Sequence, residues 1–378
     1  MTKTTKIIIG IVIAVIVIGA IWYAMVNKPT EEEPIKIGVL ADLSGGYTSL
    51  FRGVPRGVKL ALEDLRNQTS RPIELIIEDQ KSCDTKETVT IMNKFINVDK
   101  VDFIIGGTCS STTLAGAPIA EQSKTIMISS VSSAPSISQA GKYVFRTCVS
   151  DLLRTKEAAK LAYDLGKRKM AIISDISNDA TVEQSKGVKE EFINLGGEVV
   201  ADEGVTKNYT DFRTQLTKIK NSNPDVLCIV ITSPNQIALV VKQARELGLN
   251  VQLFSPPESV EDPQVVEVAG EAVEGLIYVM PGNPPETEKY KEIAKRYKEK
   301  YSEDLPPYLT ESYDALMLGV KAVLASDGTK EDVKNKLYEV SKTYEGVSGD
   351  VTFDNSGDVV KDVMFKTIKN GQFVPYEE

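Results

Sequence analysis

The chain of 378 residues carries 44 Lys and Arg against 53 Asp and Glu, so its formal net charge is −9. With 42 % hydrophobic and 26 % charged residues it has the composition of a folded protein, and its length allows two domains with separate cores. The acidic balance argues against a nucleic-acid-binding protein, which usually presents a basic face. Because the chain has no histidine, histidine general bases, Ser-His-Asp triads and His-ligated metal sites are excluded.

An uncharged run of 20 residues, Ile7–Val26, is the first feature along the chain. At about 1.5 Å per residue, a helix of this length spans roughly 30 Å, the thickness of a bilayer core. Lysines precede the run and glutamates follow it, so the positive-inside rule places the remainder of the chain outside the membrane. We therefore interpret residues 1–34 as a single transmembrane anchor with a short tether. A signal peptide, cleaved to leave a secreted or periplasmic protein, is the alternative, and both export the same domain.

From Ile35 onward, short apolar runs alternate with segments of helical periodicity. The first set of predicted strands is Ile35–Leu40, Ile73–Glu78, Asp102–Ile105 and Thr125–Ser129. The second set is Lys169–Ser174, Glu198–Val200, Val226–Ile231 and Val251–Phe254. Strands that alternate with helices predict parallel sheets covered on both faces. The exported part is therefore an α/β protein with two doubly wound, Rossmann-like lobes.

The C-terminal part follows a different pattern. Its predicted helices are Glu286–Tyr301, Glu311–Ala325 and Lys330–Ser341, and Asp350–Phe353 and Asp362–Lys369 are predicted to form an antiparallel pair. We expect this tail to return to the first lobe and then to the second. Lobe 1 is placed at residues 35–147 plus 280–348, and lobe 2 at 148–279 plus 349–378. Ligands of open α/β sheets bind beyond the carboxyl ends of the strands, so two facing lobes form a ligand cleft there.

Polar loops follow the predicted strands on both sides of this cleft. Ser110 opens a helix after Cys109, where unpaired backbone N–H groups and the positive dipole end can bind a carboxylate. Helix capping is the competing explanation for such a serine. Ser132 and Ser133 belong to a second hydroxyl-rich loop, which can equally be an ordinary polar loop. Most glutamates are solvated surface charges, but Glu258 follows a strand and two prolines and is well placed to meet a ligand ammonium.

Two of the four cysteines, Cys83 and Cys109, fall just past strand ends in neighbouring βα units. This spacing places them close together, and an exported compartment permits a disulfide. Closing that loop would add roughly 3.5 kcal/mol of stability by constraining the unfolded chain. Cys228 lies in an apolar strand and is predicted to be a buried thiol, whereas Cys148 has no assigned role. The chain has no C-x-x-C pair, so no zinc site is predicted.

Short stretches spread along the exported part carry a family resemblance. They are Ile37–Gly45, Asp79–Thr85, Ile104–Thr112, Met127–Pro135, Tyr143–Thr147, Tyr209–Leu216, Gln243–Gly248 and Tyr313–Ala315. In their order and spacing they resemble the type I periplasmic binding proteins of ABC importers, specifically the leucine/isoleucine/valine-binding group. The resemblance implies two lobes joined by three crossovers, which we place near Arg146–Ser150, Gly275–Pro281 and Gly346–Asp350. It also implies a disulfide that matches Cys83 and Cys109.

The resemblance further implies a set of ligand-binding residues. Ser110, Ser132 and Ser133 match positions that bind the α-carboxylate of an amino acid, and Glu258 matches the position that binds its α-ammonium. The aromatic wall expected in the first loop is replaced near Leu50, which we expect to contact the ligand. Two tyrosines that the family commonly carries in lobe 2 are missing, so the side chain of the ligand is not predicted.

These observations together predict an extracytoplasmic solute-binding receptor of an ABC importer. It is not expected to be an enzyme or to hold a metal or cofactor. Its lobes close around a small ligand, with an amino acid of branched-chain type favoured, and a membrane permease and its ATPase receive it. We expect a monomer at the cell surface. The alternatives are a sensing subunit for a signalling partner and a receptor for a short amide or carboxylic acid.

Overall fold

The computed structural model describes residues 32–377 except 178, 207 and 283–285, and it leaves out the side chains of Asp179 and Glu258. Within this part of the chain the strands form two sheets, one of five strands and one of seven. The predicted anchor, Ile7–Val26, lies outside the described residues. Among those described, no helix combines the length and apolar character needed to cross a bilayer.

The first sheet is parallel throughout, with its strands in the order β2-β1-β3-β4-β5. These strands are β1 Ile35–Ala41, β2 Ile73–Asp79, β3 Phe103–Ile105, β4 Met127–Ser129 and β5 Val144–Arg146. Continuous apolar runs suit such strands because helices cover both faces of the sheet. The runs predict β1 to β4, but β5 ends on a buried arginine and gives no such run.

The second sheet has the strand order β12-β11-β10-β9-β8-β6-β7. Its strands are β6 Lys169–Asp175, β7 Glu198–Val205, β8 Val226–Val230, β9 Gln252–Ser255, β10 Ile277–Pro281, β11 Val363–Lys369 and β12 Gln372–Pro375. The strands from β6 to β10 run parallel, and β11 and β12 are antiparallel additions at one edge. The predicted doubly wound α/β lobes are thus confirmed, with a mixed sheet in the second.

The α-helices of the described part are, in chain order, α1 Thr48–Phe51, α2 Gly53–Leu65, α3 Thr85–Lys94, α4 Ser110–Ser123, α5 Asp151–Asp164, α6 Asp179–Asn194, α7 Arg213–Asn221, α8 Pro234–Glu246, α9 Pro263–Ala269, α10 Glu288–Tyr301, α11 Leu309–Ala325 and α12 Lys330–Ser341. The late helices α10 to α12 share one buried apolar cluster with α2 and the first sheet. A Cβ on Gly57 would lie 2.2 Å from the backbone oxygen of Leu309, so glycine is needed where α2 meets α11. The tail therefore returns to lobe 1, as expected.

One detail of the predicted tail is wrong, and a strand occupies the region of the second expected crossover. Near Gly275–Pro281, Ile277–Pro281 forms β10 inside the second sheet, and Tyr278 is buried in the core of that lobe. Asp350–Phe353 does not pair with β11, which lies between β10 and β12. Instead Phe353 packs edge-on against Phe145 at 5.2 Å between ring centroids and forms an isolated bridge with Val359.

The crossovers follow from these corrections. The first lies between β5 and α5, near Arg146–Ser150 as expected. The second follows Pro281 at the end of β10. Val359, which follows the third expected crossover at Gly346–Asp350, still packs in the core of lobe 1. The apolar residues at alternate positions, Val351 and Phe353, predict a strand, but in the structure their side chains fill the core of the first lobe.

Candidate ligand-binding site

The loops after β1, β2 and β3 meet around the carboxylate of Asp42, which is 1 % exposed. Its Oδ2 accepts hydrogen bonds from the Gln80 amide at 3.1 Å and from the Thr108 hydroxyl, and its Oδ1 accepts from the Cys83 N–H at 3.0 Å. A buried carboxylate is stable only with such donors. Asp42 therefore fixes the three loops to one another and has little capacity left for a ligand.

A disulfide joins Cys83, after β2, to Cys109, before α4, with 5.7 Å between the two Cα atoms. The predicted pairing is confirmed. Asp42 lies close to both sulfur atoms, but sulfurs in a disulfide are not thiolates and do not form a metal site with it. Cys148 and Cys228 are buried free thiols, and burial raises the pKa of each to about 12. For Cys228 this matches the expectation.

Ser110 is the first residue of α4, and its position is not explained by capping. Cys109 occupies the N-cap, and the Thr112 hydroxyl accepts from the Cys109 N–H at 3.2 Å. The half-buried Ser110 instead accepts, through its Oγ, a hydrogen bond from the Ala134 N–H at 3.2 Å. The N–H groups of a first helical turn have no partner within the helix. Ser110 therefore joins a potential anion site to the hydroxyl-rich loop after β4.

The two serines of that loop differ in what they contact. Ser132 is 1 % exposed, and its hydroxyl lies 2.7 Å from Thr113 Oγ1 and 3.1 Å from the Gly107 oxygen to which it donates. Its hydroxyl is thus engaged inside lobe 1. Ser133 is half-buried, and its hydroxyl donates to Asp151 Oδ2 at 3.1 Å. Ser110 thus contacts Ala134, the residue that follows Ser133 in the loop. The Ser132 hydroxyl faces the interior of lobe 1.

An apolar rim, defined by Leu43, Tyr47 and Leu50, borders the loop after β1. These side chains are 47 %, 47 % and 46 % exposed, respectively. Below them Phe51 is 6 % exposed and packs in one cluster with Val131 and the disulfide cysteines. Leu50 therefore lies on an open surface, and the aromatic floor beneath it is Phe51. Tyr47 directly follows Gly45 and Gly46 in the sequence, but only Leu50 is predicted there as a ligand contact.

The lobe 2 side of the cleft is formed by the loops after β6 and β9. Ile176, directly after β6, is 58 % exposed, and Ser177 beside it donates to Asp175 Oδ1 at 2.6 Å. After β9 the backbone passes through two prolines into a 3₁₀ turn, Glu258–Glu261. Glu258 therefore stands directly past the carboxyl end of a parallel strand. Its side chain lies outside the description of the structure.

A cross-lobe cluster of Ser133, Asp151, Arg154 and Gln184 lies where lobe 1 meets lobe 2, and sequence reasoning missed it. Asp151 and Arg154, one turn apart on α5, are 2 % and 5 % exposed and form an ion pair. Gln184 of α6 donates to Asp151 Oδ2 at 2.8 Å. Burial acts to raise the pKa of Asp151, but the Arg154 guanidinium and the Gln184 and Ser133 hydrogen bonds outweigh it and lower this pKa. An opposite charge pair at this spacing on a helix usually indicates a solvated face, so the pattern gave no signal.

Comparison with known proteins agrees with this geometry. Residues 34–372 match the family described as periplasmic binding protein. A leucine-, isoleucine-, valine-, threonine- and alanine-binding protein of Pseudomonas aeruginosa is 26 % identical over 382 residues, which cover 100 % of this chain and 97 % of that protein. The Leu/Ile/Val-binding protein of Escherichia coli is 27 % identical over 346 residues, 90 % of this chain and 92 % of that one. The crystal structure of a leucine-binding protein from Thermotoga maritima superposes with a TM-score of 0.73 and 29 % identity, covering 91 % of this chain and 98 % of that one.

Proposed function

This chain belongs to the periplasmic binding protein family, and we propose that it is the extracytoplasmic receptor of an ABC importer for an amino acid of branched-chain type. The observation that carries the proposal is the junction of Ser110 and Ser133 at the start of α4, within a set of loops tied by a disulfide. Relatives that match nearly the whole chain are named for binding leucine, isoleucine and valine.

The carboxylate of the ligand binds at the start of α4 in this proposal. Backbone N–H groups and the dipole of a helix of 14 residues favour an anion there. Ser110 lies next to the loop that carries Ser133, because its Oγ accepts from the N–H of Ala134, the residue after Ser133. Ser132 contributes indirectly. Its hydroxyl contacts Thr113 and the Gly107 oxygen and so fixes the conformation of the loop.

The α-ammonium of the ligand pairs with Glu258. A cation enclosed between two lobes loses its water and needs a compensating charge. The backbone at Glu258 supports this role, since two prolines fix it at the carboxyl end of β9. The apolar side chain of the ligand then meets the apolar rim of lobe 1 and Ile176 of lobe 2, whose side chains are exposed.

Closure occurs at the three crossovers, and two of them are joined by one lysine. Lys361 Nζ, in the third crossover, donates to the Thr147 oxygen of the first at 2.9 Å and to the Ser348 oxygen at 3.0 Å. We propose that the chain divides into lobes near these crossovers, with 282–359 added to the first lobe and 360–378 to the second. The closed monomer is then recognised by a permease and its ATPase.

We also propose that Ile7–Val26 is retained as a membrane anchor. Protease added outside intact cells should then release the lobes by cutting between Asn27 and Pro34. A mature protein that begins after Ala20 or Ala24 would show instead that the segment is a cleaved signal peptide.

Mass spectrometry of small molecules that co-purify with the protein tests the ligand class without bias. We expect leucine, isoleucine or valine in amounts close to one per protein molecule. A carboxylic acid or amide without an α-ammonium would contradict the proposal and move the ligand to that class.

A further inference from the structure

A buried carboxylate stands directly beside the proposed carboxylate site. Asp151 contacts Ser133 twice: its Oδ2 accepts from the Ser133 hydroxyl at 3.1 Å, and its N–H donates to the Ser133 oxygen at 2.7 Å. Gln184 Nε2 reaches the same Oδ2 at 2.8 Å, and the Arg154 guanidinium pairs with Oδ1. Asp151 is 2 % exposed, so water does little to screen its charge.

This arrangement poses an electrostatic difficulty for an anionic ligand. A hydroxyl has a single proton to donate, so Ser133 cannot give it to Asp151 and to a ligand carboxylate at once. Two unscreened carboxylates that share one serine also repel each other. A receptor for carboxylate ligands therefore needs a positive charge that offsets Asp151.

We propose that Arg154 is a specificity-determining residue: by neutralising Asp151, it allows a carboxylate-bearing ligand to bind beside Ser133. This inference rests on the proposed function, because it takes the ligand carboxylate to lie between Ser110 and Ser133. Arg154 acts through Asp151 and need not touch the ligand.

The protonation of Asp151 supports this role. Its burial alone would raise its pKa, yet the Arg154 ion pair and the Gln184 and Ser133 hydrogen bonds lower that pKa, so the carboxyl is charged at neutral pH. Without Arg154, burial dominates and the pKa of Asp151 rises. Lowering the pH through this raised pKa then protonates Asp151 and removes the repulsion.

Other titratable or charged groups border the cluster. Cys148 precedes α5, and Arg146, Glu311 and Lys361 act electrostatically on the same region. On α6, Glu183 accepts from the Ser136 N–H at 3.1 Å. Burial raises the pKa of the Glu311 carboxyl above its usual value. All these groups are unchanged in the variants below, so a difference between variants isolates Asp151.

The test compares Arg154→Met with the double variant Arg154→Met/Asp151→Asn by calorimetry with L-leucine. At about pH 8, Arg154→Met should weaken binding about 10- to 100-fold, because like charges are juxtaposed. Lowering the pH should recover part of this loss as Asp151 becomes protonated. The double variant, which has neither charge, should bind within about 3-fold of wild type at both pH values.

Two results would overturn the inference while the proposed function stands. One is an Arg154→Met protein that binds leucine as tightly as wild type at high pH. The other is a loss that neither low pH nor the second substitution restores, since that pattern indicates a merely structural role. If wild type itself binds no carboxylate-bearing solute, the proposed function and the inference fail together.

A further variant keeps the test decisive if Arg154→Met does not fold. Asp151→Asn keeps Arg154 and removes the carboxylate that stands beside the proposed site. This variant should therefore bind leucine at least as tightly as wild type does. It should bind leucinamide, which lacks the carboxylate, less tightly than wild type does. Weaker binding of leucine by a folded Asp151→Asn protein would overturn the inference.

Discussion

The loops that face the cleft from lobe 1 are tied together by a disulfide and a buried carboxylate, whereas the loops after β6 and β9 in lobe 2 contain no cysteine. In lobe 1 the Cys83–Cys109 disulfide and the Asp42 carboxylate fix the loops after β1, β2 and β3. In lobe 2, Ile176 is largely exposed and Glu258 follows two prolines. Under the proposed function, lobe 1 holds a preformed site for the carboxylate of the amino acid. Lobe 2 then completes the site on closure and supplies the opposite charge.

The largest effect is expected from Glu258→Gln, which removes the charge that lobe 2 is proposed to supply to the ligand ammonium. Removing one partner of a buried charge pair costs roughly 2–5 kcal/mol, or about 30- to 5,000-fold in affinity for leucine. The stability of the unliganded protein should be nearly unchanged. Calorimetry and thermal unfolding measure the two quantities. Glu267→Gln, an exposed glutamate on α9, is the matched control and should bind like wild type.

The next effect concerns the links within lobe 1. Replacing Cys83 and Cys109 by alanine should lower the free energy of unfolding by roughly 3.5 kcal/mol, because the unfolded chain gains the freedom of the opened loop. Denaturant titrations of the oxidised wild type and the variant measure this loss, and wild type under reducing agent should resemble the variant. Equal unfolding midpoints would show that the disulfide does not stabilise lobe 1.

Ser110→Ala should have a smaller effect than Glu258→Gln. Backbone N–H groups at the start of α4 would still hold the ligand carboxylate, so we expect a loss of about 1 kcal/mol, or about 5-fold in affinity. Ser111→Ala, one residue further along α4 and exposed, is the control for the substitution itself. A loss for Ser110→Ala as large as that for Glu258→Gln would mean that the serine hydroxyl, not the helix terminus, dominates carboxylate binding.

The smallest effect is expected at the apolar rim. Leu50→Ala removes apolar surface that is only half covered without ligand, so leucine binding should weaken about 2- to 5-fold. Binding of L-alanine, whose side chain is too short to reach the rim, should not change. Equal losses for the two amino acids would place Leu50 outside the contact with the ligand side chain.

Sequence reasoning succeeded where the site follows strand ends and failed where it depends on contacts between distant segments. Cys109 and Ser110 come a few residues after an apolar run, so the parallel-sheet rule places them at the carboxyl edge. Asp151 and Gln184 meet only because α5 and α6 pack together beside the loop after β4. No local pattern marks such a meeting. The loop containing Phe353 resembled a strand because its alternating apolar residues fill the core of lobe 1.

Calorimetry of wild type with L-leucine and with 4-methylpentanoate tests most directly whether a zwitterion is held between the two lobes. The second compound has the same carbon skeleton and carboxylate but lacks the α-ammonium that would pair with Glu258. We predict that leucine binds at least about 30-fold more tightly, the lower limit for losing one partner of an enclosed charge pair. If 4-methylpentanoate binds as tightly as leucine, the lobe 2 carboxylate does not recognise an ammonium, and the protein is a receptor for carboxylic acids.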